Sequence, residues 1–241
     1  MKVYCINLER SKERRQNMQA QFKRLSLPFE FINAVDGQAL SDNEVAAVYN
    51  KWRTRFCHGK DLTRGEIGCA LSHIEFYRRV LEDNSPVFVL EDDVELGAEV
   101  KNAFEAVEPF LANATAPCLV QLPGLERDMP RSVGNCREDA FVKVSSAMGT
   151  YAYGVNPAAA RLLLKAFSPL KFPIDYYGHL VRYYGLNLYV YNHKTISVDM
   201  VSESTVGEDR FKVHKGAGLI CYKLWRLIGK TIDCVLIGLN K

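Results

Sequence analysis

Residues 87–94 read VFVLEDDV, and this stretch decides the fold. Its first four residues form an unbroken apolar run, which is typical of a strand buried on both faces of a parallel sheet. Three carboxylates, Glu91, Asp92 and Asp93, follow directly. They lie at the carboxyl end of the predicted strand, which is where open α/β sheets bind ligands. The stretch therefore predicts an α/β protein with an acidic ligand site at one edge of its sheet.

Strand and helix signals alternate along the rest of the chain. Further strands are predicted at residues 3–8, 29–35, 118–122, 141–144, 150–155 and 188–191, the last of these being the final strand. Helices are predicted after the N-cap residues Ser11, Ser41, Thr63 and Asn156, and the longest covers residues 64–83. This alternation predicts a mostly parallel central sheet with helices on both faces. We expect one domain over residues 1–215 and a helical tail over residues 216–241.

The composition is that of an ordinary soluble globular protein, with 48% hydrophobic and 24% charged residues. The net charge of +3 is too small to indicate a nucleic-acid partner. Seven scattered cysteines without a CxxC pair indicate neither a disulfide framework nor a zinc knuckle, and they favour a reducing compartment. The apolar start of the chain is too short for a signal peptide, and no apolar run reaches about 18 residues. The sequence thus predicts a cytoplasmic protein.

The three adjacent carboxylates have a specific chemical implication. Anions this close raise one another's pKa values unless a cation neutralises them. Oxygen ligands suit Mg²⁺ or Mn²⁺, and substrate phosphates commonly complete the shell of such an ion. The cluster therefore favours a metal-bound nucleoside diphosphate, and the alternative is a solvated acidic turn.

Three motifs in the same order resemble those of glycosyltransferase family 25. They are residues 6–11 (INLERS), 65–73 (GEIGCALSH) and 90–93 (LEDD). Residues 149–154 (GTYAYG) and 173–175 (PID) also resemble that family. Its members are the lipooligosaccharide galactosyltransferases of Gram-negative bacteria and relatives that glycosylate collagen. The resemblance covers about the first 180 residues.

The resemblance implies a GT-A-like, Rossmann-type nucleotide-sugar-binding domain. It implies an inverting enzyme that uses Mn²⁺ or Mg²⁺ and moves a hexose, with galactose first, from a UDP-sugar to a sugar hydroxyl of a lipooligosaccharide or lipopolysaccharide core. Residues 91–93 stand where the family has its DxD-like motif. Asp93 is then the first metal ligand, Asp92 binds metal or donor, and Glu91 contacts the ribose or a metal-bound water. Glu91 departs from the pattern, because its side chain is longer than that of Asp.

Donor-binding residues are expected at two further places. Asn7 and Arg10 follow the first strand, where backbone N–H groups and a guanidinium can hold a nucleotide diphosphate. Ser72 and His73 end the second motif, and the alternative for His73 is a structural role. Arg14 and Arg15 are interpreted as solvated helix residues.

Asp175 is the predicted catalytic base, because an inverting transfer needs a group that accepts the proton of the acceptor hydroxyl. The alternative is a helix N-cap role for this aspartate. Glu66 and Glu203 are weaker choices. His193, after a predicted strand, is a weak candidate for completing the metal shell.

The segment from Gly216 combines a broad apolar face with a polar line that carries Lys223, Arg226 and Lys230. Such a helix suits the surface of an anionic membrane, and the alternative is packing on the core. A glycolipid acceptor would place the enzyme peripherally at the cytoplasmic face of the bacterial inner membrane.

Two rival functions remain open at this point. A nucleotidyltransferase could use the same sheet and carboxylates but would release pyrophosphate instead of UDP. A non-catalytic protein could bind a nucleotide-sugar or a carbohydrate without turnover.

Overall fold

The structure is a computed structural model that describes residues 1–124 and 140–198. The predictions for Glu203 and for the tail at residues 216–241 lie outside the described residues. Within the described residues, no helix is both long and apolar enough to cross a membrane.

The described residues form an alternating series of strands and helices. The strands are β1 Lys2–Asn7, β2 Glu30–Asn33, β3 Val87–Glu91, β4 Val94–Leu96, β5 Cys118–Gln121, β6 Phe141–Lys143, β7 Ala152–Val155, β8 Asn187–Tyr191 and β9 Ile196–Val198. The helices are α1 Lys12–Arg24, α2 Asp42–Val48, α3 Lys51–His58, α4 Arg64–Asp83, α5 Val100–Asn113, α6 Pro157–Ala166 and α7 Tyr177–Tyr184.

The central sheet has seven strands in the order β2-β1-β3-β7-β5-β8-β6. β2, β1, β3, β5 and β8 run in one direction, and β7 and β6 run against them. This confirms the predicted α/β class with a largely parallel sheet. The antiparallel β7 lies between β3 and β5, which brings the start of β7 to the same edge as the ends of β1 and β3.

β3 is buried on both faces, as its apolar run predicts. Val87 and Val89 pack into the core on one side, together with α4, α6 and α7. Phe88 and Leu90 pack into the core on the other side, together with α1 and α5. All four are fully buried. Burying side chains of this size stabilises the fold by about 1.5–3 kcal/mol each.

Helix α4 begins as predicted, with a capping box between Thr63 and Glu66. Each of these two side chains accepts a hydrogen bond from the backbone N–H of the other, which satisfies two donors of the first turn. Gly68, one turn later, has to be glycine, because a Cβ there would lie 2.6 Å from the carbonyl oxygen of Val35. The loop after β2 therefore packs directly on the start of α4.

Several elements differ from the prediction. α3 and α5 are helices that the sequence analysis did not assign, and β9 follows β8, which was predicted to be the last strand. β9 pairs with β4 in a separate two-stranded sheet. Asp175 is not a helix N-cap, because α7 has Tyr176 in that position.

Candidate active site

A cavity opens where β1 and β3 end. Its lining includes Arg10 and Arg14 from the segment after β1, Ser72 and His73 from α4, and Glu91, Asp92 and Asp93 from the end of β3. Because β1 and β3 are parallel neighbours, with Ile6 in register with Glu91, their carboxyl ends meet at this edge.

Asp92 is anchored by the protein through both of its carboxylate oxygens. Asn7 Nδ2 donates to Oδ2 at 2.6 Å, and Arg14 Nη1 donates to Oδ1 at 3.1 Å. Asn7 is itself held, because its Nδ2 also reaches the carbonyl oxygen of Ser11 and its Oδ1 accepts from Arg15. The orientation and charge of Asp92 are therefore fixed by side chains that follow β1.

Asp93 has the opposite environment. Its Oδ1 is buried and has no hydrogen-bond partner among residues 1–124 and 140–198. Burial first, and then the charges of Glu91 and Asp92, raise the pKa of Asp93 from 3.8 to about 7. A bare, buried carboxylate oxygen beside other anions fits a bound cation, since such a cation would satisfy the oxygen and offset the repulsion.

Glu91 is neutralised by the helix that packs on the sheet. His73 Nε2 lies 3.2 Å from Glu91 Oε1, which also accepts from the Thr150 hydroxyl. Burial acts to raise the pKa of Glu91, but the hydrogen bond and charge of His73, with Thr150 and Arg14, hold it below its usual value. The other ring nitrogen of His73 lies 2.7 Å from the Tyr153 hydroxyl. His73 is fully buried and contacts the acidic strand end.

Asp175 lies in a turn before α7 and is half-buried. Burial raises its pKa, and the charges of Glu91 and Glu66 add to the rise, while backbone hydrogen bonds at Asp175 and Gly149 oppose it. These charges place Asp175 within electrostatic range of the strand end, although it does not line the cavity. Glu66 is occupied by its capping box and by Lys60 at 3.6 Å.

Of the remaining predicted residues, Arg10 and Ser72 line the cavity, and His193 does not. Arg10 lines the cavity and forms an ion pair with Asp36. Ser72 is fully buried, donates to the Gly68 carbonyl at 2.8 Å and accepts from the Val35 N–H at 2.9 Å. Its hydroxyl thus ties the loop after β2 to α4. His193 is exposed and does not line the cavity.

Three residues of this arrangement were missed or misread from the sequence. Arg14 is an ion-pair partner of Asp92, not a solvated helix residue. Thr150 reaches Glu91, and Cys69 lies with His73 and Glu91 in a group whose ligand atoms are all within 4.8 Å of one another. The position of Arg14 two residues into α1 was a usable signal, because a helix that follows β1 starts at the edge where β3 ends.

The chain is similar in sequence to known glycosyltransferases. The family model described as "Glycosyltransferase family 25 (LPS biosynthesis protein)" matches residues 1–177. A putative glycosyltransferase of Haemophilus influenzae is 29% identical over 71% of this chain and 60% of its own length. Procollagen galactosyltransferase 1-B of Xenopus laevis is 36% identical over 38% of this chain and 16% of its own length. The chain therefore matches less than two thirds of either relative.

One solved structure aligns with most of this chain. A glycosyltransferase involved in the glycosylation of the major capsid of PBCV-1 aligns with 85% of this chain and 94% of its own, at 10% identity and a TM-score of 0.40.

Proposed function

The chain belongs to glycosyltransferase family 25, and on this premise we propose that it is a metal-dependent inverting enzyme. It transfers a hexose, with galactose first, from a UDP-sugar to a sugar hydroxyl of a lipooligosaccharide or lipopolysaccharide core. Galactose is supported by the similarity to a procollagen galactosyltransferase, and the acceptor by the description of the family as a lipopolysaccharide biosynthesis protein.

The observation that carries the proposal is the buried, unpartnered Oδ1 of Asp93 at the carboxyl end of β3. A divalent cation fits there, and Asp93 would hold it, with Asp92 beside it. When bound, such an ion supplies positive charge that neutralises the diphosphate of the leaving UDP. Oxygen ligands of this kind match Mn²⁺ or Mg²⁺.

The protein's own residues orient the donor. Asn7 and Arg14 hold the Asp92 carboxylate rigid, so that its geometry does not depend on the ligand. Arg10, more than half exposed beside Asp36, offers a guanidinium that can exchange its carboxylate partner for a phosphate oxygen. Glu91, fixed by His73 and Thr150, presents its carboxylate to the same cavity for a ribose hydroxyl.

Asp175 is the group proposed to accept the proton of the acceptor hydroxyl. Its pKa is raised by burial, which makes its carboxylate a better proton acceptor than an exposed aspartate. As the acceptor oxygen forms its bond to the anomeric carbon, the proton passes to Asp175 and UDP leaves from the opposite face. This order inverts the configuration of the transferred sugar.

The decisive experiment incubates the protein with a panel of UDP-sugars, Mn²⁺ and truncated glycolipid acceptors. The expected result is one consumed UDP-sugar, free UDP and a glycolipid that is heavier by one hexose. Release of pyrophosphate would identify a nucleotidyltransferase instead. Binding of a UDP-sugar without any turnover would identify a non-catalytic binding protein.

The proposed acceptor also gives the tail at residues 216–241 a role, since a glycolipid core is presented at a membrane surface. The basic apolar pattern of this segment suits anionic lipid. We propose peripheral attachment at the cytoplasmic face of the inner membrane.

A further inference from the structure

Cys69, His73 and Glu91 form a second group of potential ligands in the cavity, beside Asp93. Cys69 and His73 lie one helical turn apart on α4, so both side chains face the end of β3. The ligand atoms of the three residues lie within 4.8 Å of one another, and all three residues line the cavity. Sulfur, imidazole nitrogen and carboxylate oxygen together are a set typical of zinc, whereas Mg²⁺ and Mn²⁺ favour oxygen alone.

One ring nitrogen of His73 contacts Tyr153, and the other faces Glu91 within this group. The Tyr153 hydroxyl donates to the Tyr77 hydroxyl at 3.1 Å, so its oxygen is left to accept from His73 Nδ1 at 2.7 Å. His73 Nε2 faces Glu91 Oε1 at 3.2 Å. A cation between these two atoms, whether a proton or a metal ion, would be bound by both of them.

The separations are close to those of a coordinated ion. Zinc bonds of about 2.0–2.3 Å in a tetrahedron put neighbouring ligand atoms about 3.5 Å apart. The contact between His73 and Glu91, at 3.2 Å, is already slightly shorter than that, and no separation in the group has to shorten by more than about 1.3 Å. The hydrogen bond between His73 Nδ1 and the Tyr153 hydroxyl fixes the imidazole ring in the way that a supporting shell fixes metal-bound histidines.

The electrostatic surroundings also favour a cation at Cys69. The negative charges of Glu91, Asp175 and Asp93 act on the Cys69 sulfur. The same charges would stabilise a divalent ion bound to the sulfur. An ion held by three protein ligands keeps its fourth position open to the cavity.

We infer that Cys69 Sγ, His73 Nε2 and the Glu91 carboxylate bind a thiophilic divalent cation of the zinc class, at a site distinct from the hard-cation site at Asp93. This inference stands on the geometry of the three residues and does not depend on the transferase activity.

The test uses the reduced, metal-stripped protein titrated with Co²⁺, which reports a thiolate ligand by a charge-transfer absorption band. We expect the wild type to show this band at one ion per chain and to lose it when Zn²⁺ is added. Cys69→Ala should abolish the band and weaken Zn²⁺ binding by at least about 100-fold, because even the loss of a supporting residue costs 10–100-fold. Cys118→Ala is the matched control, since Cys118 is buried in β5 and does not line the cavity, and it should keep the band.

Two further measurements test whether the metal binds at Cys69. Asp93→Asn should retain the band, because Asp93 is not one of the three ligands. In the wild type, Zn²⁺ should slow the alkylation of Cys69 at least about tenfold, whereas Mg²⁺ should not. Peptide mapping measures the alkylation of this cysteine. No band in the wild type, a band retained by Cys69→Ala, or equal alkylation rates with and without Zn²⁺ would each overturn it.

Discussion

Replacing Asp93 by Asn is expected to stabilise the metal-free protein while it removes metal binding. In the part of the chain that the structure describes, the buried Oδ1 of Asp93 has no hydrogen-bond partner, and the neighbouring carboxylates repel its negative charge. Asn has nearly the same shape and carries no charge. The substitution therefore removes an unfavourable interaction that only a cation offsets.

The magnitude follows from the shift in the pKa of Asp93. A rise from 3.8 to about 7 is about three pKa units, or about 4 kcal/mol at about 1.36 kcal/mol per unit. Partial exposure of Asp93 to water reduces this to about 2–4 kcal/mol. Between pH about 4 and 7 the folded state binds more protons than the unfolded state, so this contribution of Asp93 to stability declines as the pH rises. The advantage of Asp93→Asn should thus be under about 1 kcal/mol at pH 4 and reach its full value at pH 8.

Urea unfolding of the wild type and Asp93→Asn, at pH 4 and pH 8 with EDTA, measures this difference directly. Asp92→Asn is the matched control, because Asn7 and Arg14 pair with both Asp92 oxygens and its neutralisation should destabilise the fold by about 1–3 kcal/mol. Mn²⁺ at about 100 times its dissociation constant should add about 2.7 kcal/mol to the stability of the wild type and none to Asp93→Asn. The reasoning is refuted if Asp93→Asn is less stable than the wild type at pH 8.

Three other predictions concern the proposed activity. Asp175→Asn should lower kcat by about 10²–10⁴-fold and leave UDP binding unchanged, and unchanged turnover would remove Asp175 from the mechanism. The kcat of the wild type should fall as the pH decreases, because the base must be ionised. The pKa of this fall should lie above that of an ordinary aspartate, because burial raises the pKa of Asp175. Arg14→Gln should weaken UDP-sugar binding by about tenfold in calorimetry, because one oxygen of Asp92 loses its partner. Lys23→Gln is the control, since Lys23 is exposed on the same helix, and it should leave UDP-sugar binding unchanged. Truncation after Gly216 should abolish binding to anionic liposomes while the remaining chain stays soluble, and insolubility of that chain would instead place the tail in the core.

The part of the fold that could be predicted depends on local signals. The capping boxes at Ser41 and Thr63, and Asn156 followed by Pro157, fixed the starts of α2, α4 and α6, because each pattern satisfies the donors of its own first turn. Helix α5 has no side-chain cap at Glu99 and contains Pro109, so it lacks such a start signal even though its buried residues are spaced for a helix. β4 and β9 are three-residue strands about a hundred positions apart in the chain, and only the tertiary fold pairs them.

Local sequence patterns predict the place of the site, whereas its side-chain contacts join residues that are distant in the sequence. The run of apolar residues before Glu91 predicted correctly where the cavity would lie. The partner of each carboxylate could not be predicted from spacing, because Arg14 and Asp92 are 78 positions apart, and Thr150 and Glu91 are 59 apart. Both contacts require the strand order, in which β1 and the antiparallel β7 lie on either side of β3.

The three carboxylates after β3 are therefore chemically different, although they are adjacent in sequence. Glu91 is paired with His73, and Asp92 is paired with Arg14 and Asn7. Asp93 keeps a buried oxygen that has no partner among the described residues. A purely structural acidic turn would expose such an oxygen to water or pair it, because burying it alone is unfavourable. The protein therefore holds Glu91 and Asp92 through its own side chains, whereas the Asp93 oxygen is positioned to bind a cation.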